Sequence, residues 1–237
     1  MVFIKKDRLA LSILFIFLSV IALSMYEKRD SNNTIETVTL PVTNKVIVID
    51  AGHGIPDEGA ESQNGISEAK INLNIALKLQ KLLEQSGATV ILTRSDENGI
   101  YDIDSKTLKE KKISDLKKRV KIGNNASADV FISIHLNKIS QQKYSGWQTF
   151  YKSSDENSIK LAKSIQNNLN KSIQKDNDRT PMKLDSIYIV KNIEIPITIV
   201  ECGFLSNPEE EKNLLNDEYQ NKLAWGIYSG IMDYFLL

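Results

Sequence analysis

The chain has 237 residues, of which 41% are hydrophobic, and its 30 basic and 30 acidic side chains give a formal charge of zero. This length suits one α/β domain or two small ones, the hydrophobic fraction is too high for a disordered chain, and the even charge disfavours nucleic-acid binding by phosphate neutralisation. The single cysteine excludes an internal disulfide framework and Cys-rich zinc sites, and two histidines leave few ways to build a histidine-based site.

Residues 1–26 have the pattern of a membrane-targeting segment. A cationic stretch with Lys5, Lys6 and Arg8 precedes an uncharged apolar run of 17 residues, from Leu9 to Met25. This length lies at the lower limit for spanning a bilayer, and it fits a signal peptide or a short uncleaved anchor. We therefore expect contact between the N-terminus and the membrane, and a working domain on the extracytoplasmic side. Without residues 1–26 the formal charge of the chain is −2.

Residues 27–44 are polar and are predicted to form a linker, and residues 45–237 are predicted to form one domain. Within that domain, predicted strands alternate with predicted helices. Strands are expected at residues 45–52, 88–94, 129–137, 146–151, 187–190 and 197–202, where short apolar runs occur. Helices are expected at residues 67–86, from Ser114 to Ile122, at 155–172, from Pro208 onwards and at 218–234. The alternation predicts an α/β fold, with a mostly parallel twisted sheet and helices on both faces.

Three of the predicted strands end at residues that can carry chemistry. The first is followed by His53, the third runs into His135, and the last runs into Glu201. In open α/β sheets, ligands bind at the carboxyl ends of the strands. Both histidines of the chain are therefore expected at one edge of the sheet, close to Glu201.

Two histidines do not complete a catalytic zinc site, which usually has three protein ligands and an open water position. Glu68, at the start of the predicted helix 67–86, would complete a His₂Glu set. Glu201 would then be free to act as a general base toward water and to return the proton to a leaving nitrogen. Each residue also has a structural explanation by itself, because a carboxylate at a helix start favours the helix dipole and a strand-end histidine is often only hydrogen-bonded. Together they favour a metallohydrolase.

Other catalytic motifs are absent or incomplete. The chain has no G-x-S-x-G sequence, and the glycines around His53 do not continue into a dinucleotide fingerprint. Cys202 lies in the apolar sequence ITIVECGF, which predicts a buried thiol rather than a nucleophile.

Three separated blocks of the chain resemble the zinc-dependent N-acetylmuramoyl-L-alanine amidases of the amidase-3 family. They are VIVIDAGHG with the following segment to Glu68, then Arg119 to Asn124 with ADVFISIHLN, and finally PITIVECGFLSN. The resemblance implies a zinc ion bound by His53, Glu68 and His135, with Glu201 as the catalytic carboxylate. It also implies hydrolysis of the amide between N-acetylmuramic acid and the L-alanine of the peptidoglycan stem peptide.

A single domain behind one hydrophobic segment most resembles the sporulation and germination-specific, CwlD-type class of that family. This resemblance implies a role in spore cortex maturation, in the cell envelope, and leaves room for an extracytoplasmic activator protein. Two alternatives stay open at this point. One is a zinc carboxypeptidase or another peptidase of related fold, and the other is a non-catalytic cell-wall-binding protein.

Overall fold

The structure is a computed structural model that describes residues 6–30, 39–175 and 177–236, with side chains described only for residues 11–25 of the first range. The chain divides into two compact units, the second of which begins at Leu40. The first unit contains helix α1, Lys6–Asp30. Among the described residues, we find no helix with the length and apolar character needed to cross a bilayer. Of the predicted cationic stretch, Lys5 lies outside the described residues, whereas Lys6 and Arg8 belong to α1. Residues 31–38 of the predicted linker also lie outside them, and export stays a prediction.

The second unit is an α/β fold built on a sheet of six strands in the order β2-β1-β3-β6-β4-β5. Strands β2, β1, β3 and β6 are mutually parallel, whereas β4 runs antiparallel to β6 and parallel to β5. This confirms the predicted mostly parallel sheet. The strands are β1 Val46–Ala51, β2 Thr89–Leu92, β3 Val130–Asn137, β4 Gln148–Tyr151, β5 Met182–Lys183 and β6 Ile197–Phe204. The helices are α2 Glu68–Gln85, α3 Leu108–Asn125, α4 Glu156–Ile173, α5 Tyr188–Asn192, α6 Pro208–Leu214 and α7 Asp217–Leu236.

Helices cover both faces of the sheet, as the apolar runs of the central strands require. The larger hydrophobic cluster joins residues such as Ile49 and Val200 to helices α2, α4 and α7. The smaller cluster joins Phe131 and Ile199 to helices α3 and α5. Because side chains alternate along a strand, Asp50, His135 and Glu201 lie on the α3/α5 face, at or near the carboxyl ends of their strands.

A β-bulge interrupts the alternation on β6. His135 pairs with Glu201, and two residues later Asn137 pairs with Phe204, so β6 uses one more residue than β3 over the same step. His135 and Asn137 share a face of the sheet, and residues paired side by side face the same way. Phe204 therefore lies on the same face as Glu201, although the two are three positions apart.

Two predicted elements differ from those in the structure. Helix α3 begins at Leu108 and not near Ser114, because Thr107 and Glu110 form a capping box at its N-terminus. Ser114 lies within the helix, where its hydroxyl donates to Asp102 at 2.7 Å. Residues 187–190 are not a strand: α5 occupies Tyr188–Asn192. A short apolar run cannot be assigned to strand or helix by periodicity alone.

Candidate metal centre and active site

Four side chains from four parts of the chain meet at the carboxyl edge of the sheet. His135 and Glu201 are paired in register on the neighbouring strands β3 and β6. His53 lies two residues after β1, and Glu68 is the first residue of α2. The structure thus places both histidines and these two carboxylates at one edge of the sheet, as the sequence predicts.

The two imidazoles converge on one carboxylate oxygen. Nδ1 of His135 lies 3.0 Å, and Nε2 of His53 lies 3.5 Å, from Oε1 of Glu68. The ring centroids of the two histidines are 5.0 Å apart, with an angle of 79° between the ring planes. One ligand atom from each of these three residues lies within 4.8 Å of the others, and among the described residues they are the group able to hold a metal ion.

The donor set fits zinc. Zn–N and Zn–O distances near 2.1 Å place tetrahedral ligand atoms about 3.3 Å apart, so a separation within 4.8 Å needs only small inward movements. Two imidazoles and one carboxylate are also a common catalytic zinc set, which leaves a fourth position open. The described residues can therefore hold zinc, as the sequence predicts.

Glu68 is held in its ionised form. Burial by itself raises the pKa of this carboxyl, but the hydrogen bond and the positive charge of His135 outweigh burial, and the pKa falls to about 2. The amide of Ala60 adds a hydrogen bond to Oε2 at 2.7 Å, and the amide of Leu136 adds one to Oε1 at 3.0 Å. For His135, burial lowers the pKa, but Glu68 more than compensates and the pKa is raised. In the metal-free protein these two residues are thus joined by a hydrogen bond where zinc would bind.

Two side chains that the sequence analysis gave no role hold the ligands in place. Asp57 accepts a hydrogen bond from Nδ1 of His53 at 3.0 Å, which leaves Nε2 facing Glu68. Asn72, one helical turn after Glu68, donates from Nδ2 to Oε1 of Glu68 at 3.3 Å and to the carbonyl of Gly52 at 3.2 Å. Both lie four residues beyond the ligand they support. This i,i+4 spacing is the signal that could have identified Asn72 on its helix.

Two glycines give the ligand side chains room. A Cβ atom at Gly52 would lie 2.3 to 2.7 Å from ring atoms of His135. At Gly59, where φ is +71°, a Cβ atom would lie 2.6 Å from Oε2 of Glu68 and 2.7 Å from the ring of His53. Any larger residue at these two positions would displace a ligand.

The backbone at His53 is in the left-handed region, with φ of 61°, which is uncommon for a residue other than glycine. Two buried arginines stabilise the loop that contains it. Arg119 donates to the carbonyl of Ala51 at 2.7 Å and to that of His53. Arg94 donates to the carbonyls of Ala51, at 2.8 Å, and Gly52, at 3.0 Å. Hydrogen bonds from these two guanidinium groups to the loop carbonyls therefore stabilise the loop conformation.

Beneath the loop, Asp50 pairs with Arg119 inside the fold. Both side chains are at most 1% exposed, and Oδ1 of Asp50 lies 2.6 Å from Nη1 of Arg119. Thr93 donates to the same oxygen at 2.7 Å, and Ser133 donates to Oδ2 at 2.6 Å. Burial would raise the pKa of Asp50, but the charge of Arg119 and these hydrogen bonds hold the pKa below its usual value.

Glu201 is half-buried, and one of its carboxylate oxygens differs from those of Asp50 and Glu68. Its Oε2 atom is buried and has no hydrogen-bond partner among the described residues. Burial raises the pKa of this carboxyl to about 7; His135 opposes the rise and the charge of Glu68 adds to it. A carboxyl with a pKa near neutrality can both accept and donate a proton, which is what general acid–base catalysis requires.

The prediction that Cys202 is buried is confirmed. Burial raises the pKa of its thiol far above the usual range, and the charges of Glu201 and Glu68 add to the rise. A thiol in this state is not a nucleophile at neutral pH.

Comparisons with known proteins agree with the geometry. A family model described as N-acetylmuramoyl-L-alanine amidase matches residues 47–233. The chain is 37% identical over 217 residues to the germination-specific N-acetylmuramoyl-L-alanine amidase of Bacillus subtilis, covering 91% of each protein.

Two solved structures share the fold. One is the CwlD amidase of Clostridioides difficile in complex with the GerS lipoprotein, with 46% identity, a TM-score of 0.79, and coverage of 81% of this chain and 98% of that one. The other is an N-acetylmuramoyl-L-alanine amidase from Clostridium difficile 630, with 33% identity, a TM-score of 0.71, and coverage of 81% and 97%.

Proposed function

Since the chain belongs to the amidase-3 family of N-acetylmuramoyl-L-alanine amidases, we propose that it is a zinc enzyme in which His53, Glu68 and His135 hold the metal and Glu201 transfers the proton. The reaction of the family is hydrolysis of the amide that joins N-acetylmuramic acid to the L-alanine of the peptidoglycan stem peptide. Zinc, when bound, supplies a Lewis acid that polarises the scissile carbonyl and makes water more acidic.

The remaining work falls to the protein's own groups. Glu201 takes a proton from the attacking water on its carboxylate and passes it to the departing nitrogen, so that the peptide leaves as a neutral amine and the lactyl group as an acid. Asp57 accepts a hydrogen bond from Nδ1 of His53 and so keeps Nε2 of that ring directed at the metal position.

The observation that carries the proposal is the unpartnered Oε2 of Glu201, buried beside a His₂Glu set at the same edge of the sheet. A purely structural carboxylate in such a place would be hydrogen-bonded, because an unpaired buried polar group is costly. A water and a leaving nitrogen would complete its hydrogen bonding during the reaction.

The test is mass spectrometry of peptidoglycan digested by the purified protein, with zinc measured in the same samples. We expect free peptides that begin with L-alanine, intact glycan strands and one zinc per chain. His135→Ala should lose the metal, because one of three protein ligands is removed. Unchanged zinc content in that variant would refute the ligand assignment.

The same experiment separates the alternatives. A zinc carboxypeptidase would shorten stem peptides from the far end and leave them attached to the glycan. A non-catalytic wall-binding protein would bind peptidoglycan and release nothing.

We further propose action outside the cytoplasm, in the spore cortex, after export directed by residues 1–26. The germination-specific relative of Bacillus subtilis supports the cortex role. The role predicts that a strain without the protein makes cortex peptidoglycan in which every muramic acid keeps its peptide. Cortex from such a strain with the normal share of peptide-free muramic acid would contradict it.

An accessory protein is also proposed, because the CwlD relative was solved in complex with a lipoprotein. A lipid-anchored protein should then co-elute with the full chain from detergent-extracted membranes in a defined complex and increase its turnover. Full activity of the isolated chain, unchanged by the co-eluting protein, would overturn this point.

A further inference from the structure

A guanidinium group that forms no ion pair with the described residues lies near the proposed catalytic carboxylate. Arg179, in the loop between α4 and β5, donates from Nε to the carbonyl of Ser145 at 2.9 Å and from Nη1 to Oε1 of Gln148 at 3.2 Å. Both acceptors are neutral. Among the described residues, no carboxylate lies within the 4.0 Å of an ion pair with Arg179.

The strand register places this cation next to Glu201. Gln148 on β4 is paired directly with Glu201 on β6, and residues paired in this way have Cβ atoms about 5 Å apart on the same face. The guanidinium carbon of Arg179 also lies 4.6 Å from the ring centroid of Phe204, which the β6 bulge turns to that face. Arg179 is therefore separated from Glu201 by one side chain, on the β4 side, whereas the metal ligands lie on the β3 and β1 side.

Two other cations around the site are paired with acids: Arg119 with Asp50 and Asp115, and Lys112 with Asp57 at 3.1 Å. Arg94 forms no ion pair with the described residues, but it is buried and its side-chain nitrogens all donate to backbone carbonyls. Arg179 is only half-buried, and its two identified hydrogen bonds and the ring of Phe204 fix its position without neutralising it.

Glu210 is close enough to Arg179 for the guanidinium charge to oppose the rise in the pKa of Glu210 that burial causes. Its two carboxylate oxygens are already occupied, however, by the amides of Gly146 and Phe204, each at 2.7 Å. Glu210 thus holds the backbone beside Ser145, whose carbonyl accepts from Arg179. The planar guanidinium of Arg179 retains unused N–H donors suited to a carboxylate.

We propose that Arg179 binds a free carboxylate of the stem peptide and so selects acidic over amidated substrates. This rests on the proposed function, because it places the peptide across Glu201 from the metal ligands. The scissile amide then lies between zinc and Arg179, and a charge-assisted hydrogen bond from Nη1 or Nη2 fixes the peptide side of the substrate.

The test compares two muramyl dipeptides that differ at one group only. In one, a carboxylate of the residue that follows L-alanine is free, and in the other that carboxylate is converted to an amide. The full-length, zinc-loaded protein should have the lower KM for the free acid. Arg179→Gln removes the charge, so KM for the acid should rise roughly 10- to 100-fold, the range of a hydrogen bond to a charged group, while KM for the amide changes less than about twofold. Arg179→Lys should recover part of the preference.

Lys175→Gln is the matched control, since it removes a positive charge from the same segment, one that pairs with Glu209 at 3.1 Å. It should leave the preference unchanged. Equal losses on both dipeptides in Arg179→Gln would mean that Arg179 acts only by packing on Phe204, and would overturn the proposal.

Binding of both dipeptides to the zinc-loaded Glu201→Gln protein, measured by calorimetry with and without Arg179→Gln, keeps the two hypotheses separate. Without turnover in the unmodified protein, the proposed function fails. Tighter binding of the acid than of the amide, lost in Arg179→Gln, still supports the arginine site, and equal binding of both rejects it.

Discussion

Asp50 and Glu201 are two carboxylates on the same face of one sheet, the first buried and the second half-buried with a buried Oε2 atom, and their pKa values shift in opposite directions. Asp50 has a guanidinium and two hydroxyl groups around its oxygens, and its pKa is lowered. Glu201 has a buried oxygen without a partner among the described residues, and burial raises its pKa to about 7. What distinguishes these two carboxyls is therefore the guanidinium and the hydroxyl donors around Asp50, which outweigh the effect of burial there and are missing at Oε2 of Glu201.

The same division applies to the groups around them. Below the His53 loop, the donors of Arg119 and Arg94 are taken up by carboxylates and backbone carbonyls. Above it lie a hydrogen-bonded His135–Glu68 pair that zinc would replace and, at Glu201, a carboxylate oxygen with no partner among the described residues. A rigid, satisfied support under a partly unsatisfied site is the arrangement that preorganised catalysis requires.

The largest expected effect is on turnover, from Glu201→Gln. Removing the proton-transferring carboxylate while keeping its shape should lower peptide release by roughly 10²- to 10⁴-fold, the usual contribution of general acid–base catalysis. Zinc content should match the unmodified protein. Near-normal release of stem peptides would mean that Glu201 is as structural as Asp50.

On the structural side, Asp50→Asn should lower the free energy of unfolding by about 3 to 5 kcal/mol, because it removes the fully buried one of the two acids that pair with the buried Arg119. Urea denaturation measures this loss. Glu218→Gln, which removes the acid of an exposed ion pair with Lys222 at 3.0 Å, is the control and should have almost no effect. Equal stabilities of the two variants would show that the Asp50 network does not support the fold.

The raised pKa of Glu201 predicts a pH dependence of stability in the metal-free protein. A carboxyl that binds its proton more tightly in the folded than in the unfolded state contributes stability that is present below pH 4.5 and is lost as pH rises toward 7. At pH 8 the Glu201→Gln variant should thus be more stable than the unmodified protein by roughly 3 kcal/mol, and at pH 4 the advantage should vanish. A difference that is constant with pH, measured by urea denaturation, would contradict the raised pKa.

The smallest expected effect comes from removing one of the hydrogen-bond donors around Asp50, which makes its surroundings more like those of Glu201. Ser133→Ala removes the hydroxyl that donates to Oδ2 of Asp50 at 2.6 Å, and should cost about 1.5 to 3 kcal/mol of stability while leaving activity within a few-fold. Ser153→Ala removes a hydrogen bond to Asp185 of the same length, 2.6 Å, at an exposed position. This control should leave denaturation unchanged, since water replaces the lost partner.

The sequence predicts the fold well where the pattern is long and local. Continuous apolar runs identify β1, β3 and β6, and the helix predicted at 155–172 is α4, which Asp155 caps by accepting from the amides of Asn157 and Ser158. Short segments fail, because their conformation depends on tertiary contacts. Ile189 and Val190 are buried against the α3/α5 face as one helical turn, and the two-residue strand β5 has an exposed pattern with no periodicity to read.

For the candidate site, strand ends and residue chemistry are enough to propose His53, Glu68, His135 and Glu201, and the structure brings these four together. Ser67 was predicted as the cap that starts α2; it occupies that position, but its side chain makes no capping hydrogen bond. The pairing of Arg119 with Asp50, across 69 positions of sequence, and the place of Arg179 could not be predicted, because neither has a local pattern.

The bulge on β6 has a consequence for how such enzymes can change. The extra residue of the bulge lies between Glu201 and Phe204. Phe204, with the Arg179 guanidinium beside it, therefore lies beyond the irregular step of β6, whereas Glu201 lies before it, in register with His135. Insertions or substitutions beyond Gly203 can remodel the substrate pocket without moving Glu201 relative to His135. Substrate preference can thus diversify within the family while the reaction itself is inherited unchanged.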